Sequence, residues 1–249
     1  MTTRDQFLER VRGALKHPAA PRYSGAVRPA PEFPSLGQVM APVSKEALIG
    51  RFAEELEKVG GVSHEAGLPS DLDRTLREVL GPSGGSPTVL SRNPLLTRLG
   101  IAQRLQAWGH SVLAWPHEGD VTADELRQFR DECFSAKAGI TGADLALVES
   151  GSFVLTSATE GSQLVSLAPP VHIILYRRSQ VVETLEEVLD HVVASSNGAI
   201  AAGRSVVFIT GQSRTADIEQ ISIRGVHGPL RIHAILVEEA CLTAISGPG

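Results

Sequence analysis

The sequence contains little cysteine: its 249 residues include two, Cys133 and Cys241, which lie far apart and form no C-x-x-C motif. An iron–sulphur cluster is usually held by four thiolates, and a disulfide framework needs several cysteine pairs. Neither is therefore expected in this chain. We predict instead that both thiols are buried as small apolar side chains, in a protein of a reducing compartment.

Long apolar segments and basic clusters are also missing. No stretch approaches the roughly 20 apolar residues of a membrane-spanning helix, and residues 1–16 are too charged to contain the apolar core of a signal peptide. Lysine and arginine total 23 against 28 aspartates and glutamates, which gives a net charge of −5. A nucleic-acid-binding protein normally carries a basic surface. The sequence therefore predicts a cytoplasmic protein with no membrane span and no nucleic-acid partner.

The common motifs for metals and cofactors are absent from the sequence. The histidines are scattered and show no H-E-x-x-H spacing, so no metal site is predicted. There is no G-x-G-x-x-G after a first strand, no Walker loop and no G-x-S-x-G nucleophile motif. We therefore expect no cofactor in this chain.

Two parts are predicted: an N-terminal arm, residues 1–42, and one α/β domain, residues 43–249. Thr3 and Gln6 have the spacing of a capping box, and apolar residues then recur at helical spacing up to residue 15. Residues 18–42 contain six prolines, which is typical of an extended linker. From residue 43 onward, apolar strands alternate with helices. This alternation predicts a mainly parallel, doubly wound sheet flanked by helices.

Strands are predicted where apolar or β-favouring runs are bounded by turn residues. These runs are residues 88–90, 111–115, 144–149, 152–157, 171–176, 206–210 and 231–237. A turn at Ser150 and Gly151 is predicted to join two of them as a tight hairpin. Helices are predicted over residues 44–60, 70–80, 93–105, 124–136 and 181–193.

Polar, glycine-rich clusters lie at the edges of the predicted strands, where open α/β sheets bind ligands beyond the carboxyl ends of strands. In residues 139–144, Gly142 allows close approach of the backbone, and Asp144 either holds a ligand hydroxyl or caps a turn. In residues 149–152, Glu149 is followed by Gly151 and Ser152. We expect Glu149 to be partly desolvated and usable as a base or nucleophile, the alternative being an exposed hairpin carboxylate.

Two further clusters follow. His172 lies at the start of a buried strand behind two prolines, and is either a core residue or part of a binding site. Residues 211–219 and 225–229 flank strong strands, and their hydroxyls, arginine and backbone N–H groups suit an anion such as phosphate or carboxylate. The residues predicted to bind substrate in these two loops are Gly211, Ser213, Arg214, Thr215, Asp217, Glu219, His227 and Gly228.

These clusters, taken in order, resemble the lactate utilization protein C (LutC) family, whose members consist of a LUD domain. The resemblance is carried by residues 141–144, 149–152, 166–172, 211–219 and 225–229. The chain departs from the family pattern at Gln212, where proline is typical, and at Ser150 and Ser152, where threonine is typical. The hydroxyl groups are kept, so we expect the chemistry of the loops to be kept as well.

The resemblance implies a fold like that of the sugar-phosphate isomerases and CoA transferases. It also implies a role in a three-protein system that oxidises L-lactate to pyruvate, in which the iron–sulphur clusters belong to the partner proteins. This chain would then be an accessory component, for substrate handling or assembly. By analogy with CoA transferases, Glu149 would be the catalytic residue. The alternatives are a stand-alone enzyme, or a sensor without turnover, that binds an acyl-CoA or a sugar phosphate.

Overall fold

The computed structural model of the chain describes residues 3–16, 43–82, 86–115, 122–196, 205–216, 222–224 and 228–243. The chain divides into two compact units, Met1–Ala41 and Pro42–Gly249. In the first unit, helix α1 covers Arg4–Lys16. The capping box predicted before this helix is formed: the Thr3 backbone N–H donates to Gln6 Oε1 at 3.1 Å, and the Gln6 N–H donates to Thr3 Oγ1 at 3.4 Å.

The second unit is built from short strands and helices that alternate along the chain. Its strands are β1 Val62–Ala66, β2 Thr88–Leu90, β3 Val112–Ala114, β4 Ala138–Thr141, β5 Leu145–Leu147, β6 Ser152–Thr156, β7 Val171–Tyr176, β8 Val181–Val182, β9 Val206–Thr210, β10 Arg214–Ala216, β11 Ser222–Arg224 and β12 Arg231–Val237. Its helices are α2 Lys45–Lys58, α3 Pro69–Leu80, α4 Pro94–Arg98, α5 Ile101–Ala107, α6 Ala123–Ser135, α7 Ser157–Glu160, α8 Leu164–Leu167, α9 Leu185–Ser196 and α10 Glu239–Thr243. None of the helices in the described ranges is long and apolar enough to span a membrane.

The main sheet has six strands in the order β1-β12-β7-β4-β2-β3, and all of its neighbours pair in parallel. The predicted α/β class with a mainly parallel sheet is therefore confirmed. Helices α3, α4, α5 and α10 cover one face, and α2 with the second sheet covers much of the other. Because both faces are covered, the central strand β7 is buried along its whole length, as its continuous apolar sequence predicts.

The second sheet was not anticipated from the sequence. Its four strands run in the order β8-β5-β6-β9, with β5 antiparallel to β6 and β6 antiparallel to β9. The predicted hairpin between β5 and β6 is present, with a single 3₁₀ turn at Val148–Ser150. The predicted helix over residues 181–193 is wrong at its start, because Val181–Val182 pairs with β5 and the helix begins at Leu185.

Three aromatic side chains hold helix α2 against both sheets. Phe52 lies on the helix, Phe153 on β6 and Tyr176 on β7, and all three are almost fully buried. Their ring centroids are 5.0 to 5.5 Å apart with edge-on geometry, which is the favourable arrangement for aromatic pairs. This cluster fixes the second sheet on one face of the main sheet.

The order of the strands identifies one crevice in the main sheet. From β2 the chain continues to β3 on one side, whereas the next main-sheet strand after β4 is β7 on the other side. Neighbouring strands whose connections leave in opposite directions form a topological switch point, and ligands of open α/β sheets bind beyond the carboxyl ends of such strands. The residues that follow β2 and β4 are therefore the first place to look for a site.

Candidate functional site at the carboxyl edge of the main sheet

A cleft of about 530 Å³ lies at this switch point. We call it the switch-point cleft. Its walls come from the segments that follow β2, β4 and β7, together with α7 and α9. They consist of Asn93, Pro94, Leu95, Arg98, Ala143, Asp144, Leu145, Thr159, Arg177, Ser179, Gln180, Val182 and His191. The volume falls in the usual range of small-molecule sites.

Asn93 and Gly142 meet where the segments after β2 and β4 converge. Asn93 Oδ1 accepts the Leu95 backbone N–H at 2.9 Å and so caps helix α4, while its Nδ2 donates to Glu160 Oε1. A Cβ atom on residue 142 would lie 2.2 Å from Asn93 Cγ. Gly142 therefore approaches the Asn93 side chain closely, as its lack of a side chain allows. This packing holds the Asn93 amide in its hydrogen bond to Glu160.

Glu160 is a buried carboxyl group beside the cleft. It is 2% exposed, and burial raises its pKa to about 7, although the Ser91 hydroxyl, the Asn93 amide and the Gly142 N–H lower it in part. Its second oxygen, Oε2, has no hydrogen-bond partner in the part of the chain that the structure describes. A carboxyl group that changes protonation near neutral pH is suited to acid–base work.

Asp144 joins Glu160 to the cleft through one hydroxyl group. Asp144 is half-buried, and its Oδ2 accepts the Thr156 N–H at 2.7 Å and the Thr159 hydroxyl at 2.9 Å. The same hydroxyl oxygen lies 3.4 Å from Glu160 Oε1. Burial raises the pKa of Asp144, and the hydrogen bonds from Thr159 and Thr156 oppose this shift. The carboxylates of Asp144 and Glu160 are thus connected through Thr159.

Basic side chains also line the cleft. Arg177 follows β7, and its Nε is buried without a hydrogen-bond partner among the described residues. Arg98 and His191 are exposed at the rim, and Arg98 lies 3.6 Å from the Glu239 carboxylate. A cleft that is lined by an arginine and has a proton-carrying carboxyl group buried beside it suits an organic anion with a second polar group.

A second cleft of about 470 Å³ lies at the opposite edge of the main sheet. We call it the amino-edge cleft, because the segments before β1, β7 and β12 line it. Its lining consists of Lys58, Val59, Ser166, Leu167, Val207, Phe208, Ile209, Thr210, Gly211, Gln212, Ser213, Gly228, Pro229 and Ile232. It shares no residue with the switch-point cleft.

The predicted loop residues Gly211, Ser213 and Gly228 belong to the amino-edge cleft. Gly211 and Ser213 follow the strand β9, as predicted, but β9 lies in the second sheet, so this loop is not at the carboxyl edge of the main sheet. Arg214 and Thr215 lie on β10, but their side chains are outside the described part of the structure, as are Asp217, Glu219 and His227 entirely.

Gly151 and Ser152 lie close to the amino-edge cleft. The Ser152 hydroxyl is 2.6 Å from that of Thr210, which lines this cleft, and 2.8 Å from that of Ser150. Gly151 has a left-handed backbone, with φ +60°, and lies directly against the backbone of helix α2. The glycine of this motif is thus required by helix packing. The hydroxyls bond to one another across the second sheet.

Glu149 differs from its prediction. It is exposed, and its Oε2 accepts the backbone N–H of Leu185 at 3.0 Å. The expected desolvation is therefore wrong: the 3₁₀ turn points this carboxylate to solvent, where it stabilises the first turn of helix α9. Glu149 lines neither of the two clefts.

His172 is a core residue. It is 0% exposed, its Nε2 lies 2.8 Å from the Thr141 hydroxyl, and burial lowers its pKa to about 3. The ring is therefore neutral at physiological pH. Of the predicted residues, Asp144 lies in the switch-point cleft and Gly142 beside it, whereas Gly151, Ser152, Gly211, Ser213 and Gly228 lie in or near the amino-edge cleft.

The sequence did not point to Glu160, and it indicated Asn93 only as the residue that opens a helix. Residues 156–161 read as a short polar stretch, and nothing in their order separates Glu160 from an exposed carboxylate. The only available signal was that Asn93 opens a predicted helix three residues after the predicted strand at residues 88–90. Its role depends on β2 and β4 being neighbours, which the sequence does not reveal.

The model of the LUD domain family matches residues 49–237. Among curated proteins, a "Lactate utilization protein C" of Geobacillus kaustophilus is 29% identical over 245 residues, 95% of this chain and 96% of that protein. One of Deinococcus radiodurans is 36% identical over 141 residues, 56% of this chain and 65% of that protein.

Among solved structures, a DUF162 family protein from Deinococcus radiodurans has the same fold. The similarity has a TM-score of 0.52 at 24% sequence identity, and it covers 79% of this chain and 100% of that one. At this level of identity the similarity concerns the fold alone.

Proposed function

Because the chain belongs to the LUD domain family, we propose that it is a component of a lactate utilization system. The observation that carries this proposal is the match, over about 95% of both chains, to several proteins named "Lactate utilization protein C". The match to the LUD domain family covers residues 49–237, which include every segment from which the switch-point cleft is built. Within such a system, we assign the chain an accessory role, in substrate handling or assembly.

The two cysteines support a role without an iron–sulphur cluster. Cys133 and Cys241 are buried in different core clusters, and the Cys241 thiol donates to the Ala66 carbonyl oxygen at 3.2 Å. Burial raises the pKa of Cys133 to about 12, so this residue stays a thiol, whereas a cluster ligand is a thiolate. In this proposal the iron–sulphur clusters belong to partner proteins, which oxidise lactate to pyruvate.

A complementation assay tests the proposed role. Lactate-dependent dye reduction is measured in extracts of a host that lacks only this chain, with and without the purified protein. We expect the activity to be absent from the extract and to return when the protein is added. Activity that is the same with and without the chain would contradict the proposal.

A second function is favoured by the buried, unpaired Nε of Arg177 in the switch-point cleft. A stand-alone enzyme or sensor for an anionic small molecule, such as an acyl-CoA or a sugar phosphate, would use the same group to hold its ligand. Such a protein would bind or convert these compounds by itself. The two functions differ in whether activity requires the other proteins of the extract: a component of a lactate utilization system needs them, whereas a stand-alone enzyme or sensor does not.

A further inference from the structure

The switch-point cleft combines two features that point to one class of ligand. The first is Arg177, whose buried Nε has no partner in the described residues. Arg177 also lines the cleft, so an anionic ligand that enters the cleft meets this cationic side chain. The planar carboxylate of an organic acid is one of the anions that match the geometry of an arginine guanidinium group.

The second feature is the chain of groups Asp144, Thr159 and Glu160. The Thr159 hydroxyl lies within hydrogen-bond distance of both carboxyl groups, at 2.9 Å from Asp144 and 3.4 Å from Glu160. Asp144 and Thr159 line the cleft, whereas Glu160 is buried beside it and its Oε2 is unpaired within the described chain. A ligand that contacts Asp144 is therefore linked to a buried group that can hold a proton.

We propose that the switch-point cleft binds a small organic acid with a hydroxyl or oxo group next to its carboxylate, and that binding is accompanied by uptake of one proton. The ligand carboxylate faces Arg177, and its neighbouring oxygen faces Asp144 and Thr159. The proton comes from solvent and is held by Glu160, through the Thr159 hydroxyl. No covalent bond is formed or broken in this step. The choice of acid class rests on the proposed function in lactate utilization.

Charge repulsion in the cleft explains why ligand binding is accompanied by proton uptake. A ligand carboxylate that enters beside two ionised carboxylates is repelled, and protonation of one of them removes that repulsion. The other charged or titratable groups around the pair are Arg92, which donates to the Ser157 and Ala158 carbonyl oxygens, and Arg98, Arg177 and His191 at the cleft. Glu160, with a pKa of about 7, takes up the proton most readily.

Isothermal titration calorimetry of the purified chain with pyruvate and L-lactate tests this inference, with propionate as the matched acid that lacks the second oxygen. We expect the affinity for pyruvate and L-lactate to fall ~10-fold between pH 6 and pH 8, since ligand and proton binding are linked. Propionate should bind at least ~10-fold more weakly at either pH, since it leaves the polar groups of the site unpaired.

Three variants assign the effect to residues. Glu160→Gln imitates the protonated state, so its affinity should be independent of pH and close to that of the wild type at pH 6. Arg177→Gln should lose at least ~10-fold in affinity, because a charged hydrogen bond is lost. Glu149→Gln, a carboxylate change outside the cleft, should bind like the wild type. In wild-type protein, the Glu160 carboxyl ¹³C signal should titrate near pH 7 and at higher pH with pyruvate present.

The inference is overturned by equal binding of propionate and pyruvate, by an affinity for pyruvate that does not change with pH, or by no binding at millimolar concentrations. Each of these results comes from the purified chain without any partner protein. If binding fails and the complementation assay succeeds, the proposed function stands and the ligand class is wrong. If binding succeeds and complementation fails, the cleft is a binding site and the role in lactate utilization is wrong.

Discussion

Replacing Gly151 by alanine is expected to lower the free energy of unfolding by about 4 kcal/mol. The backbone at this position is left-handed, with φ +60°, and an added Cβ would lie 2.5 Å from the backbone carbonyl carbon of Glu55 and the nitrogen of Leu56. A left-handed conformation costs a non-glycine residue ~1–2 kcal/mol, and overpacking a close contact costs a further ~1–3 kcal/mol. The clash is with backbone inside helix α2, which cannot move aside as a side chain can.

Urea unfolding of the purified variants measures this loss, with Gly50→Ala as the matched control. Gly50 lies in the middle of the same helix, and no atom lies within 4 Å of the place where its Cβ would be. Alanine there should raise the free energy of unfolding by up to ~1 kcal/mol, because glycine is a poor helix former. If both variants change stability by the same small amount, the close packing of the hairpin against α2 is incorrect.

Glu160→Gln is expected to be more stable than the wild type, by an amount that grows with pH. The pKa of Glu160 rises from an ordinary 4.5 to about 7 in the folded protein, so folding favours the protonated form. This contribution to stability is complete below pH 4.5 and is lost as the pH rises through 7. Since glutamine does not ionise, the variant should gain about 3 kcal/mol relative to the wild type between pH 4.5 and pH 8, at ~1.4 kcal/mol for each pKa unit.

Unfolding curves at pH 5 and pH 8 for the wild type, Glu160→Gln and Glu149→Gln provide the measurement. Glu149 is exposed, so the difference between its variant and the wild type should hardly change over this range. A constant difference for Glu160→Gln would show that Glu160 is ionised in the same way in the folded and unfolded chain. A buried group that lowers stability at neutral pH is typical of a functional site.

The class of fold follows from the sequence because local patterns dictate it. Continuous apolar runs such as Val171–Tyr176 predict strands that are covered on both faces, and their alternation with helices predicts a parallel sheet. The strand Val62–Ala66 escaped prediction, because its polar residues, including His64, show no apolar run. It forms through pairing with β12, in the register Val62 to His233, which is a contact between distant parts of the chain.

The location of the site depends on such long-range pairing, and this explains which site predictions succeed. Asp144 was predicted because it ends a glycine-rich polar cluster, residues 139–144, at the edge of a predicted strand, although the strand that positions it, Ala138–Thr141, was not predicted. The loop after Val206–Thr210 looks equivalent in sequence, yet β9 pairs with β6 in the second sheet, so its glycines and hydroxyls lie at the opposite edge. Glu160 was missed because burial, and not residue type or spacing, makes it chemically distinct.

The contrast between Glu149 and Glu160 shows the same limit. Both are glutamates next to small or polar residues, and the sequence favoured Glu149 because it follows a strong strand and precedes a glycine. In the fold, the turn at Val148–Ser150 exposes Glu149, whereas helix α7 turns Glu160 inward to Asn93. Which of the two carboxylates is desolvated is decided by tertiary packing.

The complementation assay with variants tests most directly whether the switch-point cleft is the working site. Wild-type protein, Glu160→Gln and Glu149→Gln are each added to extracts of the host that lacks the chain, and lactate-dependent dye reduction is measured at pH 7. We predict that Glu149→Gln restores the activity like the wild type and that Glu160→Gln restores at least ~10-fold less, because glutamine cannot take up and release the proton that accompanies ligand binding. Full activity with Glu160→Gln, together with loss of activity in Glu149→Gln, would contradict the assignment of the working site to the switch-point cleft. It would place the site at the β5–β6 hairpin, which carries Glu149.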